Sequence, residues 1–393
     1  MPEILSLYQP SRASMFSSLL FSHFHASYGH SIETLGACSW ISKLPQEMAT
    51  TFSSKSMTYS VRATFMIFYG FISGSKDFQT EARRSYIKAL EIRRADLSRE
   101  LLQPHGDPNR TSGEAICVTI MLSYFELVVK TTQLAWMQHM DAAATLLEIQ
   151  GPEECRRYFI HQLFRTVRLS VVSASLFLAG NTLTLTQGFL SIYRRVPHVF
   201  DQENWKTIPF LASKTELDRL VDVILAIPVY IALADTLPLI SSALDSRVAY
   251  QNLQTGLTEL ITQLDHQAFD SQDVFPSSPH IAQPSQLPND ILGLQKLFFS
   301  DPLHGCLAAI KHTAYLICFA LLVSINITDS NSKFQAIFHS EALMSAILYV
   351  DSCSETAASN LYMTTIYTLN VMSVWSPVKN HQTYALHRLE ISS

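Results

Sequence analysis

Glycine is scarce in this chain, 12 of 393 residues, and Asn-Gly or Asp-Gly pairs that turn β-hairpins are few. Both shortages argue against a β-rich fold. Charge is sparse as well: 16% of residues are Asp, Glu, Lys or Arg, where about 25% is usual. With 48% hydrophobic residues, such a chain can bury a large core and does not read as disordered. A net charge of −5 with no long basic block makes direct binding to nucleic acid unfavourable.

The absences extend to chemistry. There is no glycine-rich phosphate loop, no His-Glu-x-x-His and no Gly-x-Ser-x-Gly. Two Ser-x-x-Lys matches, Ser73 to Lys76 and Ser330 to Lys333, sit in loop-like contexts and lack the partner motifs of nucleophilic catalysis. The six cysteines, Cys38, Cys117, Cys155, Cys306, Cys318 and Cys353, form no C-x2-C pair. Spread through apolar segments, they read as small buried hydrophobes in a reducing compartment. The start, MPEILSLYQPS, has Glu3 ahead of its first base, Arg12, so it lacks the basic region of a secretory signal. Residues 1–15 are expected to be a tail and 16–393 a folded body. Two apolar stretches, 169–193 and 312–328, raise the question of a membrane. The first is studded with polar residues and the second is shorter than the ~20 residues a span needs. Both are expected to be buried helices, and no membrane association is expected.

What is present is helical periodicity. Residues 81–103 place Tyr86, Leu90 and Leu97, with Ile87 and Ala89, on an apolar stripe beside interleaved Arg and Glu. Thr111 and Glu114 form a capping-box pattern ahead of residues 111–130, where Val118, Met121, Leu122, Phe125 and Val129 predict one buried face. Further helices are expected over 155–179, 215–234 (broken or kinked at Pro228), 239–269, and from 291 to about 374. Residues 270–290 carry four prolines and little periodicity, so they predict a long irregular loop. The fold class is all-α: a single large multi-helix domain with an irregular Pro/Ser-rich insertion.

One stretch stands out as a candidate site: AWMQHMDAAATLLEIQGPEE, Ala135 to Glu154. Trp136 and His139 could serve chemistry or hold a ligand. Trp136, Met140, Ala143, Ala144 and Leu147 share a helical face, however, and Gly151 with Pro152 ends the helix. His139 has no local set of further metal ligands, and Asp141 at i+2 does not face it. Trp136 is therefore expected to pack, and His139 to donate a ring N–H to a nearby carbonyl. No catalytic residue, metal or cofactor is assigned.

Taken in order, four segments resemble the regulatory domain of fungal-specific transcription factors, the helical region that accompanies a binuclear zinc-cluster DNA-binding domain. They are WISKLP with Trp40 and Pro45, ARRSYIKAL at Ala82 to Leu90, EAICVTIMLSYFEL at Glu114 to Leu127, and the Trp136, His139, Gly151, Pro152 stretch. LFRTVRLSVVSASL, Leu163 to Leu176, also fits. The likeness covers about residues 16–200, and the remainder is a compatible helical tail. The six cysteines are too dispersed to build the family's zinc cluster. The resemblance thus implies a nuclear transcriptional regulator or co-regulator of metabolic or secondary-metabolite genes, without the DNA reader. It implies protein partners, a zinc-cluster factor among them, and allows a small-molecule effector. Two other expectations stand beside it: a DNA-binding factor whose gene model is truncated at its 5′ end, and an all-helical enzyme of secondary metabolism.

Overall fold

The computed structural model describes residues 12–25, 40–102, 112–132, 134–180, 198–210, 214–239, 242–266, 302–326, 329–352 and 368–391. The fold is all-α, with no strand among the described residues. The helices gather in two compact units, Met1–Glu33 with Cys38–Val167, and Thr34–Ala37 with Arg168–Ser393. The expected loop at 270–290 lies outside the described residues.

The first unit holds α1 (Arg12–Phe24), α2 (Trp40–Thr50), α3 (Lys55–Ile72), α4 (Lys76–Leu102), α5 (Ser112–Val129) and α6 (Ala135–Gln150). α1 begins inside the expected tail. Its Phe24, almost wholly buried, packs on Phe65 and Phe68 of α3 with ring centroids 4.7 and 5.2 Å apart, so burial of one aromatic anchors the whole helix. α3 and α4 are paired most extensively, and α5 packs on both α3 and α6. Close approach of α3 to α4 depends on Gly70: a Cβ there would stand 2.9 Å from Phe78 Cβ.

Two expectations change here. Residues 115–126 of α5 are buried on every face, including Thr119, Ser123 and Glu126. The single stripe of Val118, Met121, Leu122 and Phe125 is therefore only part of a central helix; Ile116, Cys117, Ile120 and Tyr124 complete it. Thr119 and Ser123 are satisfied: Thr119 Oγ1 donates to the Ala115 carbonyl at 2.8 Å and Ser123 Oγ to the Trp136 carbonyl at 3.0 Å. On α4, Ile87 and Leu97 are exposed, and the buried line is Ala82, Ser85 and Ala89. Small residues face inward because the helix lies close to its neighbour.

The expected capping box rests in part on a residue that is not described. Thr111 lies outside the described residues. Glu114 Oε1 accepts from the backbone N–H of Ser54 at 2.8 Å, while Ser54 Oγ accepts from Met57 N at 3.1 Å. The two bonds close the start of α3, one from its own N-cap and one from another helix.

After a 3-10 turn at Glu154–Arg156, α7 (Tyr158–Gly180) carries the chain from the first unit into the second. The second unit holds α8 (Glu203–Thr207), α9 (Glu216–Ile224), α10 (Ile227–Thr236), α11 (Ala243–His266), α12 (Pro302–Ile325), α13 (Ser330–Ser352), a helical stretch at 368–375 and α14 (Lys379–Ile391). The helix expected over 215–234 is two: Pro228 sits in the first turn of α10, where its missing N–H does no harm. A complete capping box of Thr215 and Asp218 starts α9. α12 and α13 form the principal pair, flanked by α11. α12 is long and apolar enough to cross a membrane, and 78% of its apolar window is buried inside the structure. Asp329 starts α13, accepting from Asn331 N at 3.0 Å and from Ser332 Oγ at 2.5 Å.

Candidate functional site

Trp40, Tyr86 and Trp136, from three of the segments singled out by sequence, meet α5. Trp40 is fully buried and lies against Tyr124, ring centroids 6.2 Å apart. Pro45 stands inside α2, exposed, with no N–H for the carbonyl one turn back. Tyr86 from α4 stacks on Phe125 at 4.2 Å and 10°. Its hydroxyl shares a hydrogen bond with His139 Nε2 at 3.0 Å. Three of the four segments that carry the resemblance thus meet side by side on the fourth.

His139 pairs with a tyrosine hydroxyl, not with a carbonyl as expected. Burial lowers its pKa, and the charge of Glu126 opposes that only in part. Burial, followed by the neighbouring Glu126 carboxylate, raises the Tyr86 pKa well beyond the ordinary phenol range. Both groups are therefore neutral near pH 7 and neither is poised to exchange a proton there. Glu126 itself accepts from Thr131 N at 3.0 Å and Thr131 Oγ1 at 2.7 Å, which ties down the end of α5.

Trp136 is only half-buried; Met137 takes the inward position beside Met140, Ala143, Ala144 and Leu147. Gly151 ends α6 with φ 81° and ψ 165°, backbone space that L side chains avoid. Its N–H reaches the carbonyls of Leu147 at 3.0 Å and Glu148 at 3.2 Å. Pro152 then prevents another turn.

The second unit contains polar groups that the sequence did not single out. His312 on α12 and His339 on α13 face each other, Nδ1 to Nδ1, at 2.9 Å. The Tyr315 ring stacks on His339 at 4.3 Å and 9°, and its hydroxyl donates to Asp265 of α11 at 2.5 Å. Burial is the main cause lowering both histidines, His312 to about 3 and His339 to about 4. The Lys311 charge adds to it for both. A neutral pair is required: one Nδ1 must carry the proton and the other must accept it. No local sequence signal marks the pair, since the two histidines lie 27 residues apart.

The second unit holds two further polar clusters. Arg168, almost wholly buried, and Lys214 share the carboxylate of Asp222. The Phe210 ring lies under both cations, 5.4 Å from Arg168 Cζ and 4.9 Å from Lys214 Nζ. On α13, Ser340 Oγ lies 2.8 Å from His381 Nδ1 and 2.6 Å from Ser376 Oγ. The first distance suits a nucleophile and its base. Ser340 is nevertheless fully buried and its second valence is held by Ser376, which leaves no approach for a substrate carbon. The described cysteines, Cys117, Cys155, Cys306 and Cys318, are all buried and none is in a disulfide. Among the described residues no three His, Cys, Asp or Glu side chains gather as a metal ligand set.

No family model, curated protein or solved structure matches this chain.

Proposed function

We propose that the chain is a transcriptional regulator or co-regulator, acting in the nucleus on metabolic or secondary-metabolite genes. In this reading it catalyses no reaction. It works through contacts with protein partners, a zinc-cluster factor among them, and does not itself grip DNA. One observation carries the reading: the segments behind the family resemblance are a mutually packed set. Trp40 meets Tyr124 and Tyr86 meets both Phe125 and His139, so the set behaves as the framework of a helical module. The neutrality of Tyr86 and His139 fits a framework better than an acid–base pair.

The test is recovery of the full chain from the cells that express it, followed by a duplex-binding assay of the chain alone and of the recovered complex. The expected result is sequence-specific binding by the complex and none by the chain alone. Tight, specific duplex binding by the purified chain overturns the proposal, as does an unchanged transcript profile after deletion of its gene.

A further inference from the structure

Over residues 333–341, α13 buries one side and leaves a patterned stripe on the other. Phe334 is 62% exposed, Ile337 40%, Phe338 41% and Leu348 36%. At 100° per residue, Phe334 and Glu341, seven residues apart, fall on one line of the helix; Leu348, next on that line, is cut off from them by residues 342–347, which are buried on every face. Ile337 and Phe338 flank that line on either side. Two exposed phenylalanines one turn apart are an unusual surface for a helix whose inner face already packs on α12.

The charges on the stripe select its occupant. Lys333 and Glu341 are both exposed and lie at equal distances on either side of Ile337, about 6 Å along the axis at 1.5 Å per residue. A two-fold axis through Ile337 exchanges these positions. An antiparallel copy of α13 crossing there sets Lys333 of each protomer against Glu341 of its partner, twice. A parallel copy sets lysine on lysine and glutamate on glutamate, which is unfavourable. The stripe is thus self-complementary in one orientation only, as a two-fold interface must be.

We propose that the exposed face of α13 is the contact of a homodimer, antiparallel and centred on Ile337. The surface goes beyond the regulatory reading and does not depend on it. Its size sets its strength. Three partly exposed apolar side chains supply on the order of 300 Å² per protomer, below the standard interface, so a weak dimer is expected and is looked for in the micromolar range.

Sedimentation velocity of the full chain across that range tests the proposal. The wild type is expected to show concentration-dependent dimerisation. Phe334→Glu should weaken it by at least about 10-fold. Lys333→Glu and Glu341→Lys should each weaken it, and the two together should restore it to within about 3-fold of wild type. Far-UV circular dichroism checks that each variant folds. Should Phe334→Glu misfold, the charge reversals, both at exposed positions, decide the matter alone. A wild type that stays monomeric overturns the proposal, whatever other segment or partner then covers the stripe. So does a dimer indifferent to Phe334→Glu, or a double reversal that fails to restore association.

Discussion

Acid should unfold this protein through its buried histidines. His312, His339 and His198 are lowered from 6.5 to about 3, 4 and 4, with burial the first cause in each. Each is also used in its neutral form. The Nδ1–Nδ1 bond of His312 and His339 needs one bare nitrogen. His198 Nδ1 accepts from Phe200 N at 3.2 Å, closing the 3-10 turn at Val199–Asp201. Below pH 6.5 the unfolded chain takes up a proton at each of these sites and the folded chain does not. Their contribution is therefore complete above pH 6.5 and is lost as pH falls toward 4. Each histidine removes about 1.4 kcal/mol per pH unit once well below its unfolded pKa. Three of them remove about 6 kcal/mol between pH 7.5 and pH 5, comparable with the whole stability of a typical fold. Around the pair, the positive Lys311 reinforces the effect, and Asp265 and Glu216, which face Lys311, moderate it. Urea unfolding followed by circular dichroism at several pH values measures the slope. His198→Asn, which can keep an acceptor for Phe200 N, should reduce that slope by about 1.4 kcal/mol per pH unit. An unfolding free energy that stays flat from pH 7.5 to about pH 5 would refute the reasoning.

Other perturbations follow from particular contacts. Asp222→Ala strips the shared carboxylate from buried Arg168 and from Lys214, and a loss of about 3–5 kcal/mol is expected in urea titrations. Gly70→Ala drives a Cβ to 2.9 Å from Phe78 Cβ and 3.0 Å from the Gln79 nitrogen; calorimetry should show about 1–3 kcal/mol of destabilisation. Trp40→Ala empties a fully buried site and should cost about 3–5 kcal/mol. Trp136→Ala, at a half-buried position, should cost clearly less in the same titration, and the opposite order would contradict the packing described for α5 and α6.

Helix content was legible because apolar spacing and end signals are local. Gly151 and Pro152 mark the end of α6, and Pro228 marks a break in the helix expected over 215–234, for reasons contained within a few residues. Which face turns inward was less legible. On α4 the bulky Ile87 and Leu97 are exposed while Ala82, Ser85 and Ala89 are buried, because the neighbouring helix comes too close for large side chains. Trp136 yields its place to Met137 for a related reason: the inward direction is set by α5, not by the tryptophan's apolarity. The partner of His139 was illegible, since Tyr86 lies 53 residues away. The facing of His312 and His339 needed the α12–α13 pairing before it could be seen.

The bond from Ser54 N to Glu114 has a meaning for the order of assembly. During synthesis α3 emerges with its first turn half-closed, held by the Ser54 hydroxyl alone, and the missing acceptor lies 60 residues further on. Until α5 arrives, the start of α3 is free to fray and to dock in other registers. Arrival of Glu114 both seals that end and fixes where α5 may sit along it. Protection of the Ser54 amide from hydrogen exchange therefore reports docking of α5 rather than formation of α3.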